Sequence, residues 1–162
     1  MTDVKLTING TERTASAEPR TTLLDFIRDS LGMTATHMGC EHGVCGACSV
    51  ILDGAPVRSC LIYAVQADGH NVITAEGLRL DDGAPGSIMD SFIEAHGMQC
   101  GYCTPGMMIA THALLSETPD PSDDEIREAI GGNLCRCTGY AQIIEAIRLA
   151  AQRLRDKKGD AT

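Results

Sequence analysis

The eight cysteines of this chain fall into two groups of four, and their spacing constrains the fold more than any other feature. The first group has a C-x4-C-x2-C run and a more distant fourth thiol: Cys40, Cys45, Cys48 and Cys60. The second group joins a C-x2-C pair to a C-x-C pair: Cys100, Cys103, Cys135 and Cys137. No cysteine is left over, so we expect the chain to fold around two four-thiolate metal sites.

Composition agrees with a fold that needs metal. The chain has 162 residues and 43% hydrophobic side chains, but only three Tyr, two Phe and no Trp. Small domains with so few aromatic side chains often need a covalent or metal staple. Met1 leads directly into a strand pattern without a signal-peptide pattern, and no apolar run is long enough for membrane insertion. We therefore expect a cytoplasmic protein, whose thiols stay reduced and bind metal.

The charge pattern excludes other function classes. The formal net charge is −9, and an oxidised [2Fe-2S] cluster on four thiolates would add about −2. Such a chain repels phosphate backbones, so we expect no nucleic-acid partner. The sequence contains no nucleophile–base pair, G-x-G-x-x-G loop or Walker motif, so we expect no catalytic residue and no substrate chemistry on this chain alone.

The pattern of the first half predicts a small α+β unit. Alternating apolar residues over 4–8 and the Asn-Gly pair at 9–10 predict a β-hairpin. Thr22 is predicted to cap a helix that ends at Gly32. A second hairpin is predicted around the Asp-Gly pair at 53–54, directly after the first cysteine run.

The second half is predicted to be helical. Thr104 is a candidate N-cap, and Ser122 with Glu125 forms the pattern of a capping box. The last of four short predicted helices carries one apolar stripe: Ile143, Ile147, Ala150 and Leu154. Four such helices favour a compact bundle. The polar stretch 76–86 is interpreted as a linker between domains at 1–75 and 87–162.

The first cysteine group predicts a [2Fe-2S] cluster. Its spacing is that of plant-type ferredoxins. Gly39, Gly43 and Gly46 leave room for the backbone to wrap closely round the sulfurs. His42 lies in the same loop, but a Rieske centre needs two histidine ligands, and four cysteines already suffice.

The second group is less specific by spacing alone. Its C-x2-C pair precedes a predicted helix start, where the helix dipole stabilises anionic sulfur. An iron–sulfur cluster is favoured, but a four-thiolate zinc site has the same ligands. A redox dithiol fits less well, because thioredoxin-like motifs occur in a βαβ setting.

Four segments carry a family resemblance: GCEHGVCGACSV at 39–50, the lone Cys60, QCGYCTPGM at 99–107 and GGNLCRCTGY at 131–140. From about Lys5 to Arg153 the chain resembles the small iron–sulfur subunit of the xanthine oxidase family of molybdenum hydroxylases. That family includes aerobic carbon monoxide dehydrogenase and bacterial dehydrogenases of N-heterocycles, aldehydes and aromatic acyl-CoA thioesters. The resemblance implies an N-terminal β-grasp, plant-type ferredoxin-like domain and a C-terminal four-helix bundle.

The resemblance also implies an electron relay through two [2Fe-2S] clusters. A large subunit would hold molybdenum–molybdopterin, of the cytosine dinucleotide form, and a medium subunit would hold FAD. Electrons would pass from molybdenum to the second cysteine group, then to the first group and to FAD. Gln99 and the Cys137 sulfur would touch the pterin. We expect the partners on separate polypeptides, in an (αβγ)2 dimer of heterotrimers.

Two other functions stay open on the residues alone. A freestanding two-cluster ferredoxin would carry the same cysteines and would be stable without partners. A structural zinc scaffold would also use eight thiols, although the glycine-rich first loop argues against it.

Overall fold

The computed structural model of the protein describes residues 1–79 and 86–159, with side chains through Lys157. The fold is α+β, as predicted, and the described residues form one mixed five-stranded sheet and five α-helices. The strands are β1 Thr2–Ile8, β2 Thr11–Ala17, β3 Ser49–Leu52, β4 Ala55–Arg58 and β5 Asn71–Ile73. The helices are α1 Leu23–Asp25, α2 Ser87–Glu94, α3 Thr104–Glu117, α4 Asp123–Ile130 and α5 Ala141–Gly159.

Both predicted hairpins form. Asn9 and Gly10 both have positive φ, at 50° and 78°, as a two-residue turn matched to the strand twist requires. Asp53 and Gly54 make the same kind of turn between β3 and β4. The strand order is β2-β1-β5-β3-β4, with β1 and β5 parallel and every other pair antiparallel. The short β5 therefore joins the two hairpins into one sheet.

The first helix begins at the predicted cap. The Thr22 hydroxyl accepts a hydrogen bond from the Asp25 amide at 3.1 Å. The α-helical turn then widens into a π-helical turn over Phe26–Ser30, closed by the Leu31 amide bonding the Phe26 carbonyl at 3.0 Å. Gly32, at φ 68°, ends the segment.

The helices of the second half follow their sequence signals with two corrections. Helix α4 begins with the predicted capping box, in which Ser122 and Glu125 each bond the other's amide. Thr104 is already the first helical residue of α3, and Cys103 occupies the N-cap, so the N-cap prediction was one residue late. Helix α5 has 19 residues and is longer than the short helix expected.

Two separate clusters of buried side chains stabilise the two halves. One packs the sheet against α1 and includes Val4, Leu6, Phe26, Val50 and Val72. The other packs α2 to α5 together and includes Phe92, Met107, Ile126, Ile143 and Ile147. The predicted linker 76–86 overlaps a 3-10 turn, Ala75–Leu78, and residues 80–85 lie outside the described residues. Its boundaries stay a prediction.

Polar contacts join the halves where α3 lies against β3 and β4. The Arg58 guanidinium donates to the Ser49 hydroxyl at 2.6 Å, the Gly132 carbonyl at 2.7 Å and the Asn133 side-chain oxygen at 3.2 Å. The Asn133 side-chain amide donates to the Gly46 carbonyl at 3.3 Å. These bonds tie the segment before Cys135 to the loop of the first cysteine group. No helix in the described ranges is both long and apolar enough to cross a membrane.

Candidate metal centres

The first cysteine group gathers where the β3–β4 hairpin meets the loop before it. Cys40, Cys45 and Cys48 lie on that loop, and Cys60 lies in a 3-10 turn directly after β4. Ser59 binds the Cys48 carbonyl through its amide and its hydroxyl, at 3.3 and 2.7 Å. The hairpin therefore brings the buried thiols of Cys48 and Cys60 close enough for Cys48 to influence the charge of Cys60.

Two backbone amides of this loop point at the Cys40 sulfur. The amides of Val44 and Cys45 each donate to the Cys40 sulfur at 3.3 Å. Hydrogen bonds from the backbone of His42 and Cys45 lower the pKa of Cys40 to about 6. By contrast, burial and the neighbouring Cys48 raise the pKa of Cys60 to about 11. The loop thus stabilises negative charge on Cys40 before any metal is considered.

Glycine is required at two positions of this loop. A Cβ on Gly39 would lie 2.8 Å from the Cys45 sulfur. Gly46 has a φ of 76°, and a Cβ there would lie 2.6 Å from the Gly132 carbonyl oxygen. The first glycine leaves space beside a sulfur, and the second lets the loop meet the segment that leads to Cys135.

The second cysteine group gathers from two loops of the helical half. Cys100 and Cys103 lie between α2 and α3, and Cys135 and Cys137 lie between α4 and α5. The sulfurs of Cys100 and Cys137 are 3.5 Å apart. Burial, together with the neighbouring Cys135, raises the pKa of Cys103 to about 12. A cavity of about 190 Å³ is lined by all four sulfur-bearing residues.

The turn that carries Cys135 is held by its own side chains. The Tyr140 hydroxyl accepts from the Cys135 amide at 2.9 Å and donates to the Asn133 carbonyl at 3.3 Å. The Thr138 hydroxyl lies 3.2 Å from the Cys135 sulfur and accepts from the Tyr140 amide at 3.1 Å. Tyr140 adopts a φ of 69°, which is uncommon for a residue other than glycine. The turn is therefore closed on both sides of Cys135.

Neighbouring thiols interact within each group. The sulfurs of Cys100 and Cys137 are 3.5 Å apart, and electrostatic interactions link Cys48 with Cys60, Cys40 with Cys45 and Cys103 with Cys135. A [2Fe-2S] cluster on four cysteines binds two thiolates at each iron. Two groups of four cysteines therefore supply the donors for two such clusters.

The two groups are neighbours in space. Cys45 of the first group lines the cavity of the second. Its carbonyl accepts a hydrogen bond from the Leu134 amide at 2.8 Å, one residue before Cys135. On the other side, the rings of His37 and Tyr102 lie 4.9 Å apart between centroids. A group bound at one site would therefore lie close to a group bound at the other.

The predicted pterin-facing residues lie at the surface. Gln99, Cys100 and Cys137 are exposed, while Cys103 and Cys135 are partly covered. The structure therefore brings all eight predicted cysteines to two sites and leaves Gln99, which precedes Cys100 in the chain, exposed.

Four residues at these sites were missed by the sequence reasoning: Arg58, Asn133, Thr138 and Tyr140. The last three belong to the segment 131–140, whose resemblance to the family marked it as a unit without separating their roles. Arg58 had no sequence signal, because its partners Gly132 and Asn133 lie more than 70 positions away.

Comparisons with known proteins agree with this donor set. Residues 6–74 match the family described as "2Fe-2S iron-sulfur cluster binding domain", and residues 74–148 match the "[2Fe-2S] binding domain" family. The caffeine dehydrogenase subunit gamma of Pseudomonas sp. (strain CBB1) is 52% identical over 148 residues, which cover 90% of this chain and 88% of that subunit. The nicotinate dehydrogenase small FeS subunit of Eubacterium barkeri is 48% identical, over 93% of this chain and 95% of its own length.

A solved structure agrees as well. The crystal structure of quinoline 2-oxidoreductase from Pseudomonas putida 86 contains a chain that is 47% identical to this one. The two superpose with a TM-score of 0.92, over 96% of each chain. The chain therefore belongs to the small [2Fe-2S] subunits of the xanthine oxidase family of molybdenum hydroxylases.

Proposed function

We propose that this chain is the electron-transfer subunit of a cytoplasmic molybdenum hydroxylase. It would relay electrons from a molybdenum–molybdopterin site on a large subunit to FAD on a medium subunit. The observation that carries the proposal is the gathering of eight thiols at two neighbouring sites, with Cys45 of one site lining the cavity of the other. When bound, a [2Fe-2S] cluster accepts and returns one electron at a time.

The ligands in this proposal follow the two sequence groups. Cys40, Cys45, Cys48 and Cys60 hold the cluster nearer FAD, and Cys100, Cys103, Cys135 and Cys137 hold the cluster nearer molybdenum. The surrounding backbone orients and shields them: amides point at the Cys40 sulfur, while Cys48 and Cys60 are buried. The hydrogen bond from Leu134 to Cys45 supports a direct route between the sites.

The two ends of the relay differ in their exposed surface. The second site presents Gln99 and Cys137 at its edge, where the pterin would bind. The first site presents the exposed apolar side chains of Val44 and Leu61, which suit a surface that a second subunit covers. The relatives named as subunits of caffeine and nicotinate dehydrogenases support partner chains, here in an (αβγ)2 dimer of heterotrimers.

A two-domain layout is part of the proposal. A β-grasp, plant-type ferredoxin-like domain would span 1–75, a linker 76–86, and a four-helix bundle 87–162. The two separate clusters of buried side chains support this division. The family matches also support this division, because one match ends and the other begins at residue 74.

The test is to purify a tagged chain from its native host under argon and to measure its metals and flavin. We expect about four irons per chain, with molybdenum and FAD in stoichiometric amounts on co-purifying subunits. Four irons on a chain that purifies alone, without molybdenum or FAD, would instead support a freestanding ferredoxin. Bound zinc without iron would overturn both.

A further inference from the structure

One hydroxyl group stands out among the contacts of the eight sulfurs. The amides of Val44 and Cys45 donate to the Cys40 sulfur, and the Tyr102 amide donates to the Cys100 sulfur. Thr138 differs, because its side-chain oxygen lies 3.2 Å from the Cys135 sulfur. We propose that Thr138 is a positioning residue whose hydroxyl donates to the Cys135 sulfur and raises the reduction potential of the second cluster. This inference rests on the proposed function.

The direction of this hydrogen bond follows from the partners of Thr138. The Tyr140 amide donates to the Thr138 oxygen at 3.1 Å, so that oxygen already acts as an acceptor. A cysteine bound to iron is a thiolate and has no hydrogen to donate. The Thr138 O–H is therefore the donor, and the Cys135 sulfur is the acceptor.

The hydroxyl is held in place by its surroundings. Thr138 is only 9% exposed. The backbone on both sides of it is fixed by Tyr140, whose hydroxyl accepts from the Cys135 amide at 2.9 Å. Removing the Thr138 hydroxyl would take this donor away from the sulfur.

The hydrogen bond from Thr138 affects electron transfer through the negative charge on the Cys135 sulfur. A reduced cluster carries one more negative charge than an oxidised one, so a donor to its sulfur stabilises the reduced form more. The hydroxyl therefore makes the second cluster a better acceptor for an electron from the molybdenum side.

The test compares Thr138→Val with Thr138→Ser in the purified complex. Valine keeps the shape and removes the hydroxyl, whereas serine keeps the hydroxyl. Reduction of each cluster is followed by electron paramagnetic resonance during a redox titration. We expect Thr138→Val to shift the reduction equilibrium of the second cluster about tenfold towards the oxidised form, which is about 59 mV for one electron. Thr138→Ser should stay close to the wild-type protein.

Two controls separate tuning from general damage. The first cluster of the same sample should keep its potential. Thr111→Val makes the same change at a buried threonine whose hydroxyl bonds the Met107 carbonyl at 2.8 Å, and it should move neither potential.

The outcomes decide the proposal. An unchanged second potential in Thr138→Val, with four irons retained, would overturn it. Loss of the second cluster in both Thr138→Val and Thr138→Ala would also overturn it, because the hydroxyl would then serve assembly. Failure of the proposed function would look different, since the wild-type protein would itself lack the second cluster.

Discussion

Gly106 in α3 lies against Gly46 in the first cysteine loop so closely that a Cβ on Gly106 would be 2.3 Å from the Gly46 carbonyl oxygen. The same carbonyl accepts the hydrogen bond from the Asn133 side chain. Three distant parts of the chain therefore meet between the two cysteine sites. This junction fixes how near the sites lie to each other.

Gly106→Ala should destabilise the protein. Alanine normally stabilises a helix by about 1 kcal/mol relative to glycine. Here the added methyl must displace backbone, at a cost of about 1–3 kcal/mol. We expect a lower thermal midpoint in the iron-loaded protein, measured by circular dichroism. Ala113→Gly, in the same helix, reports the propensity effect alone. A midpoint raised by Gly106→Ala would contradict the close approach.

Ser122→Ala should weaken the start of α4. The substitution removes the hydroxyl that accepts the Glu125 amide. Loss of an N-cap costs about 0.5–2 kcal/mol. Urea unfolding should detect this loss, while Ser116→Ala serves as the control because its exposed hydroxyl bonds only the His112 carbonyl. Equal effects of the two substitutions would argue against the capping box.

Stability should depend on pH through His112. Burial lowers the pKa of this imidazole in the folded protein below its ordinary value of 6.5. The unfolded chain therefore binds the proton more readily, so the contribution of His112 to stability is full above pH 6.5 and decreases as pH falls. His112 lines a surface cavity together with the cationic residues Arg155 and Lys157. His112→Gln should reduce the loss of thermal midpoint between pH 7.5 and 5.5, and an unchanged slope would contradict the assignment.

Substituting one cysteine in each site should distinguish the two metal centres. Cys48→Ser and Cys135→Ser should each lower the iron content from about four to about two per chain and remove a different electron paramagnetic resonance signal. Cys135→Ser should also stop turnover with acceptors on the FAD side. Loss of the same signal in both variants would mean that the eight cysteines do not form two independent sites.

Local chemistry made much of the fold predictable. The Asn-Gly turn at 9–10, the Thr22 cap and the Ser122 capping box are each specified by residues within four positions of one another. The division of the eight cysteines into two groups was predictable for a similar reason, because the spacing of the cysteines is visible in the sequence; their role as ligands stays a prediction. The first turn of α3 and the length of α5 were misjudged, because helix ends are fixed partly by packing.

What the sequence could not predict depends on contacts between distant residues. The placement of β5 between the two hairpins rests on pairs such as Thr7 with Asn71. The bond from Arg58 to Asn133 spans 75 positions. The π-helical turn after α1 has no local signature, since Phe26 and Ile27 are buried by the sheet rather than by their own helix. Such contacts have no fixed spacing, so only the folded structure reveals them.

The most direct test of the account is the spin count of the dithionite-reduced wild-type chain, set against its iron content. We predict two distinct S = 1/2 signals that integrate to about two spins per chain, with about four irons. One spin with two irons, or a folded chain with zinc and no spectrum, would contradict it.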